Sequence, residues 1–188
     1  MTEIGDERRT TIRAAVLLAW VIVAVIGACS TPVAPAPAID GGGPVGEANS
    51  FDPDETIWIG TGILDVTSTG SVVLEDLTAV GLPSSVGAEP YLMYIQGSEG
   101  GLGIFPDDAV PAANRNNMRG LVGTTVTGAD GSFEGLLRIT LPEGGLEVSG
   151  FVLRYRQGGS STESVFIPHS AHVCTPRGAP CTPFPPHP

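Results

Sequence analysis

Residues 132–141 constrain the fold more than any other stretch of this chain. Phe133, Leu137, Ile139 and Leu141 fall on one side of a two-residue repeat, and Glu134, Arg138 and Thr140 fall on the other. That alternation suits a strand with one face packed and one face in water, whereas a helix would scatter the same apolar residues around its axis. Ala129-Asp130-Gly131 comes just before it. Asp-Gly favours the positive φ of a tight hairpin turn. Upstream, Val122, Thr124 and Val126 alternate with Gly123 and Thr125. The spacing therefore predicts a hairpin over residues 121–141.

The same period recurs downstream. Phe151, Leu153 and Tyr155 alternate with Val152, Arg154 and Arg156, which puts the arginines in water. Residues 57–66, 71–77, 91–96 and 164–167 are further strand candidates. The 91–96 run is apolar on both faces, as a central strand is. Gly, Pro, Ser and Asp clusters separate them, and no stretch after Cys29 carries a sustained helical period. The expectation is an all-β domain, an antiparallel β-sandwich of seven or eight strands. Residues 105–119 are polar and aperiodic, and read as a long loop or a short helix.

The N-terminus follows a different logic. Arg8, Arg9 and Arg13 precede an uncharged run of Val, Ile, Leu and Ala from Ala14 to Ala28. As a helix that run would span roughly 22 Å, against about 30 Å for a bilayer core. It is short for a permanent span and suits the apolar region of a signal peptide. Ile26-Gly27-Ala28-Cys29 resembles the lipobox of bacterial lipoproteins: an aliphatic residue, two small residues, then cysteine. The resemblance implies cleavage before Cys29 and lipidation of its thiol, with residues 1–28 as the signal peptide. It also implies a location on the extracytoplasmic face of the cell membrane, with the membrane itself as a partner through the lipid. An uncleaved signal anchor is the alternative.

Residues 29–54 hold Pro32, Pro35, Pro37, Pro44 and Gly41-Gly42-Gly43. They read as a flexible linker, because little in them could offset the entropy of ordering. The folded domain is expected over residues 55–170, followed by a Pro-rich tail over residues 171–188.

One ordered series resembles the extracytoplasmic domain of anti-sigma-K-type regulators. It runs Gly81-Leu82-Pro83, Tyr91-Leu92-Met93-Tyr94-Ile95, Gly103-Ile104-Phe105, Asp130-Gly131-Ser132-Phe133, Leu153-Arg154-Tyr155 and Gly158-Gly159-Ser160. The resemblance covers roughly residues 60–165 and extends to other bacterial immunoglobulin-like domains. It implies an immunoglobulin-like fold and nothing more. The regulator part of that family is a cytoplasmic helical segment, often zinc-binding. Here only about 13 residues precede the apolar run, and none is Cys or His.

Charge and composition exclude several functions. The net charge is −11, which repels phosphate backbones, so nucleic acid is not an expected partner. The chain contains no lysine. That removes Schiff-base chemistry, a complete P-loop and a Ser-x-x-Lys acyl-transfer site. No Gly-x-Ser-x-Gly elbow occurs, and all three histidines follow the last expected strand. The chain is read as a non-enzyme without a cofactor: an interaction module whose partner is an envelope protein or a glycan.

Three cysteines are present. With Cys29 lipidated, Cys174 and Cys181 remain, and an even pair in an exported protein reads as a disulfide. Closing so short a loop contributes roughly 2–3 kcal/mol on chain-entropy grounds. The competing reading is a zinc or copper site in which His169 and His172 join the cysteines. Asp52, Asp54 and Glu55, and likewise Asp107 and Asp108, are read as solvated loop charge rather than calcium ligands. Trp58, Tyr91, Tyr94, Phe151 and Tyr155 are read as core.

Overall fold

In the computed structural model the described residues are 37–42, 46–95, 101–159 and 161–182. Cys29 and the signal segment lie outside them, as do residues 183–188 of the tail. Thirteen strands run through the described residues: β1 (Ile39–Gly41), β2 (Gly46–Ser50), β3 (Thr56–Val66), β4 (Val72–Val80), β5 (Ala88–Tyr94), β6 (Ile104–Pro106), β7 (Met118–Gly120), β8 (Thr125–Val126), β9 (Phe133–Thr140), β10 (Leu146–Val148), β11 (Gly150–Gln157), β12 (Glu163–Ile167) and β13 (Ser170–Cys174). One short helix, α1 (Ala112–Asn117), interrupts them. The domain is all-β, with more strands than the seven or eight expected. No helix among the described residues is long and apolar enough to cross a membrane.

The strands form three sheets. One has the order β1-β3-β9-β5-β7, with β6 also pairing with β3; a second runs β12-β11-β4-β8; a third runs β10-β13-β2. Pairing is antiparallel except between β2 and β13, which run parallel. Apolar residues of the first two sheets share one core: Ile57, Ile59, Leu137 and Ile139 pack with Leu74, Leu77, Phe151, Leu153 and Tyr155. Each fully buried large side chain contributes roughly 1.5–3 kcal/mol, so this core dominates the stability. The alternation read in residues 151–156 holds, with Phe151, Leu153 and Tyr155 buried and Arg154 and Arg156 exposed. The 91–96 candidate corresponds to β5, which is flanked by β9 and β7.

The hairpin expected over residues 121–141 does not form. β8 pairs with β4, while β9 pairs with β3 and β5. The Asp130–Gly131 turn thus carries the chain from one sheet to another. Asp130 turns its carboxylate back onto Thr127, accepting from its backbone N–H at 2.7 Å and its hydroxyl at 2.8 Å. That caps a single 3₁₀ turn in place of a two-residue hairpin turn. Val126 and Phe133 still enter the same core, so the apolar pattern was obeyed through a different pairing.

The two domain boundaries also move outward. Residues 29–54 were expected to be linker, yet Ala38, Ile39 and Phe51 are buried. β1 pairs with β3 and β2 with β13. β2 reads Gly-Glu-Ala-Asn-Ser, with little apolar surface to bury. A backbone ladder holds it, and its apolar flank Phe51 supplies the packing. At the other end, residues 171–188 were expected to be tail, but β13 continues the fold to Cys174. Ala171 and Val173 are core.

Candidate functional site

β9 carries a second apolar face. Leu136 packs there with Trp58, Met93 and Val110, covered by Tyr91, Phe105 and Met118. This places Trp58 as a buried side chain edge-on to Tyr91, with ring centroids 5.0 Å apart. Tyr91 is half-buried at its rim, Tyr94 is half-buried against the main core, and Phe151 and Tyr155 lie within that core as expected. The expectation that Glu134 faces water, one position along the same face as Leu136, is overturned: Glu134 is fully buried. Alternation assigns faces, and here both faces are covered.

Glu134 sits beneath the loop that leads into β6. Its two carboxylate oxygens accept the backbone N–H groups of Leu102 at 2.6 Å and Gly103 at 3.3 Å. The next N–H, of Ile104, donates to Glu47 on β2 at 2.9 Å. Three consecutive amides thus point at two carboxylates, an internally filled anion nest. Burial pushes the Glu134 carboxyl above its ordinary range, helped by the charge of Glu47 and opposed by the two amide bonds.

His169, just before β13, completes the cluster. It is 4% exposed, and its Nε2 lies 3.4 Å from Glu47 Oε1. That is an ion-pair distance, but the atom makes no hydrogen bond. Contact with the His169 ring holds the Glu47 carboxyl below the usual range, against its partial burial.

A bulge in β3 makes room for these groups. Opposite β9, the register steps from Gly60↔Leu136 to Ile63↔Glu134, so one extra residue is inserted. Bulges of this kind bend a strand and are frequent beside functional sites. At Gly60 a side chain would collide with the Glu134 carboxylate, and at Gly103 with that of Glu47. Thr61, buried inside the bulge, accepts the Gly135 N–H at 3.0 Å. The result is an open depression of about 350 Å³ lined by Glu47, Glu134, His169, Ile63 and glycines.

The residues singled out from the sequence fall elsewhere or play other parts. Cys174 and Cys181 form a disulfide. The bridge takes both thiols out of metal chemistry. His172 lies beside it, with Nδ1–H donating to the Thr182 carbonyl at 2.8 Å. A ligand atom from each of His172, Cys174 and Cys181 can be chosen within 4.8 Å, but His169 is not in that group. The two histidines proposed as joint metal ligands are therefore separated between two places. A larger groove of about 540 Å³ borders the bridge. Its titratable side chains are only His172 and Glu147.

Asp54 and Asp108 are exposed loop acids, but Asp52, Glu55 and Asp107 are partnered rather than merely solvated. Asp52 and Glu55 bind Arg177, with Arg177 Nη2 2.6 Å from Glu55 Oε1. Asp107 accepts the Trp58 indole N–H at 2.7 Å and pairs with Arg138 at 3.2 Å and Arg115 at 3.4 Å. Burial raises the Asp107 carboxyl, but the Trp58 and Arg138 bonds and the nearby arginine charges outweigh it and bring it below its ordinary range.

Glu47 and Glu134 were missed by sequence reading. Glu47 sits in a Pro/Gly-rich stretch, and Glu134 sits on the presumed wet face. The available signal was Leu136, an apolar residue on the same face as Glu134. No family model matches this chain, and neither the curated proteins nor the solved structures provide a match.

Proposed function

We propose that this chain is an exported lipoprotein, held by a lipid on Cys29 at the extracytoplasmic face of the cell membrane. Its β domain is an interaction module, immunoglobulin-like in kind, and the Glu47–Glu134–His169 depression is its ligand site. The observation that carries the binding reading is the depression itself. Three polar side chains from positions far apart in sequence converge where a strand bulge and glycine backbone leave space. Concave sites with a few convergent polar groups and shifted pKa values are where ligands bind.

Binding is favoured over catalysis because, among the described residues, no hydroxyl or thiol is hydrogen-bonded to His169. The adjacent Ser170 hydroxyl is buried without a hydrogen-bond partner, and Cys174 and Cys181 are bridged. The bridge also agrees with an oxidising compartment outside the cytoplasm. The anchor rests on the sequence from Arg8 to Cys29.

Two experiments test this reading. In cells, Cys29→Ala should abolish acyl labelling and remove the protein from the membrane fraction or leave it as uncleaved precursor; unchanged labelling would refute the anchor. A photo-crosslinking residue at Ile63, which is 40% exposed on the rim, should capture one defined envelope component. Equal capture from a site remote from the depression, such as Val122, would refute the assignment of the site.

A further inference from the structure

We infer that the depression recognises a guanidinium group, and this rests on the reading of the depression as the ligand site. The lining supplies negative charge and acceptors with no basic side chain other than His169. None of the described arginines lines it. Arg115, Arg138, Arg156 and Arg177 make their ion pairs with Asp107, Glu89, Glu75, Asp52 and Glu55 instead. Glu134 is withdrawn from water and Glu47, a third exposed, stands beside it with only the His169 ring as counter-charge; a buried carboxylate without a full counter-charge is costly, and an entering cation lowers that cost.

A second observation points the same way. His169 Nε2 is buried, borders the depression and makes no hydrogen bond. It lies 3.4 Å from Glu47 Oε1, a contact that does not count as a hydrogen bond, so the Glu47 carboxylate is left able to accept from a better-placed donor. Among the described residues no backbone amide donates to Glu47 Oε1, whereas Oε2 accepts that of Ile104. The Glu134 oxygens each accept one amide, and each retains a second lone pair.

Spacing selects the type of cation. Glu47, Glu134 and His169 do not offer one ligand atom each within 4.8 Å of one another. A bare metal ion, with ligands at roughly 2.0–2.6 Å, draws its donors closer than that. A guanidinium presents five N–H donors in a rigid planar fork and reaches acceptors spread more widely. The volume of the depression accommodates such a group together with part of its carrier, and Ile63 offers apolar contact to the alkyl chain that follows. The guanidinium could be borne by a small metabolite or by an arginine side chain of an envelope protein; the chemistry recognised is the same.

The test is a calorimetric and NMR titration of the full chain in detergent with methylguanidinium, butylammonium, zinc and an Ala-Arg-Ala peptide. Methylguanidinium should bind saturably, shift the His169 ring resonances and outcompete butylammonium. Glu47→Gln and Glu134→Gln should each weaken it at least tenfold. Should either variant misfold, Ile63→Arg serves instead, because it leaves the buried acids in place and sets a competing guanidinium at the mouth. Peptide binding at least tenfold tighter than methylguanidinium would assign the cation to a protein partner, and comparable binding would assign it to a small molecule. No saturable shift of His169, affinity unchanged in all three variants, or one-to-one zinc binding lost in the same variants would overturn the inference. If the guanidinium fails while Ile63 still captures its component, the ligand class is wrong and the binding site stands. If both fail, the proposed function falls with it.

Discussion

Two acidic centres lie on the second face of the six-stranded sheet, and they are satisfied in opposite ways. Asp107 is met by side chains: the Trp58 indole, Arg138 and Arg115. Glu134 is met by the backbone amides of Leu102 and Gly103, with a second carboxylate, Glu47, close enough to raise its pKa further. The carboxyl of one is held down and that of the other is pushed up. The difference shows what fixed cations do. Arginines complete the Asp107 centre as part of the fold, whereas the Glu134 centre has hydrogen bonds but only the His169 ring as a possible counter-charge. A closed charge network reads as structure, and an open one reads as a place for something else.

Removing each acid should separate the two roles. Glu134→Ala should have the larger effect. It strands one buried and one partly buried amide; a fully buried one costs about 1–3 kcal/mol when left unpaired and the partly buried one less, so urea unfolding should report a loss of about 2–4 kcal/mol. Hydrogen exchange at Leu102 and Gly103 should accelerate. Retained protection at both amides would show that the loop stands without its carboxylate.

Asp107→Ala should cost about 1–3 kcal/mol, because the buried indole N–H loses its acceptor. Asp107→Asn should recover most of that, since the ion pairs are partly exposed and contribute little. An indole N–H resonance of Trp58 unmoved in Asp107→Ala would break this half of the comparison.

The smallest effect is one of pH. A carboxyl raised by burial contributes stability that is complete below the ordinary Glu range and is lost as pH rises through its folded value. Glu134→Gln does not titrate. The mutant should therefore gain on the wild type as pH goes from 4 to 8, at no more than about 1.4 kcal/mol per pH unit. Glu47 has the opposite sign, since its folded value is lowered: its contribution is present above the ordinary range and fades on acidification below it. Thermal unfolding of wild type and Glu134→Gln across this range checks the sign. Parallel curves would show that Glu134 titrates normally.

What the sequence revealed and what it hid follow one rule. Phe151, Leu153 and Tyr155 were legible because burial of large apolar side chains sets a strand's facing, and the alternation records it. The disulfide was legible from counting cysteines. β2 was not, because Gly-Glu-Ala-Asn-Ser is held by a ladder of backbone hydrogen bonds that leaves no mark on side-chain choice. Glu134 was misplaced because alternation distinguishes two faces without saying that one of them is dry. His169 was flagged for the right reason, a side chain with chemistry to offer, but was grouped with neighbours in sequence. Its partners in space come from β2 and β9.

The parallel pairing of β2 with β13 also sets an order of events. Among the described residues β2 has one sheet neighbour, and that neighbour is the last of the described strands. Nearby, Arg177 reaches back 125 positions to Asp52. A chain made from its N-terminus onward can close β3 on β9 while its end is still missing, but Glu47 must wait for β13. Contacts of such long sequence separation are the slow ones in folding. The Glu47–His169 edge of the depression is thus among the last contacts of the described residues to form, and removing β13 takes away the strand that holds Glu47 together with the core residues Ala171 and Val173.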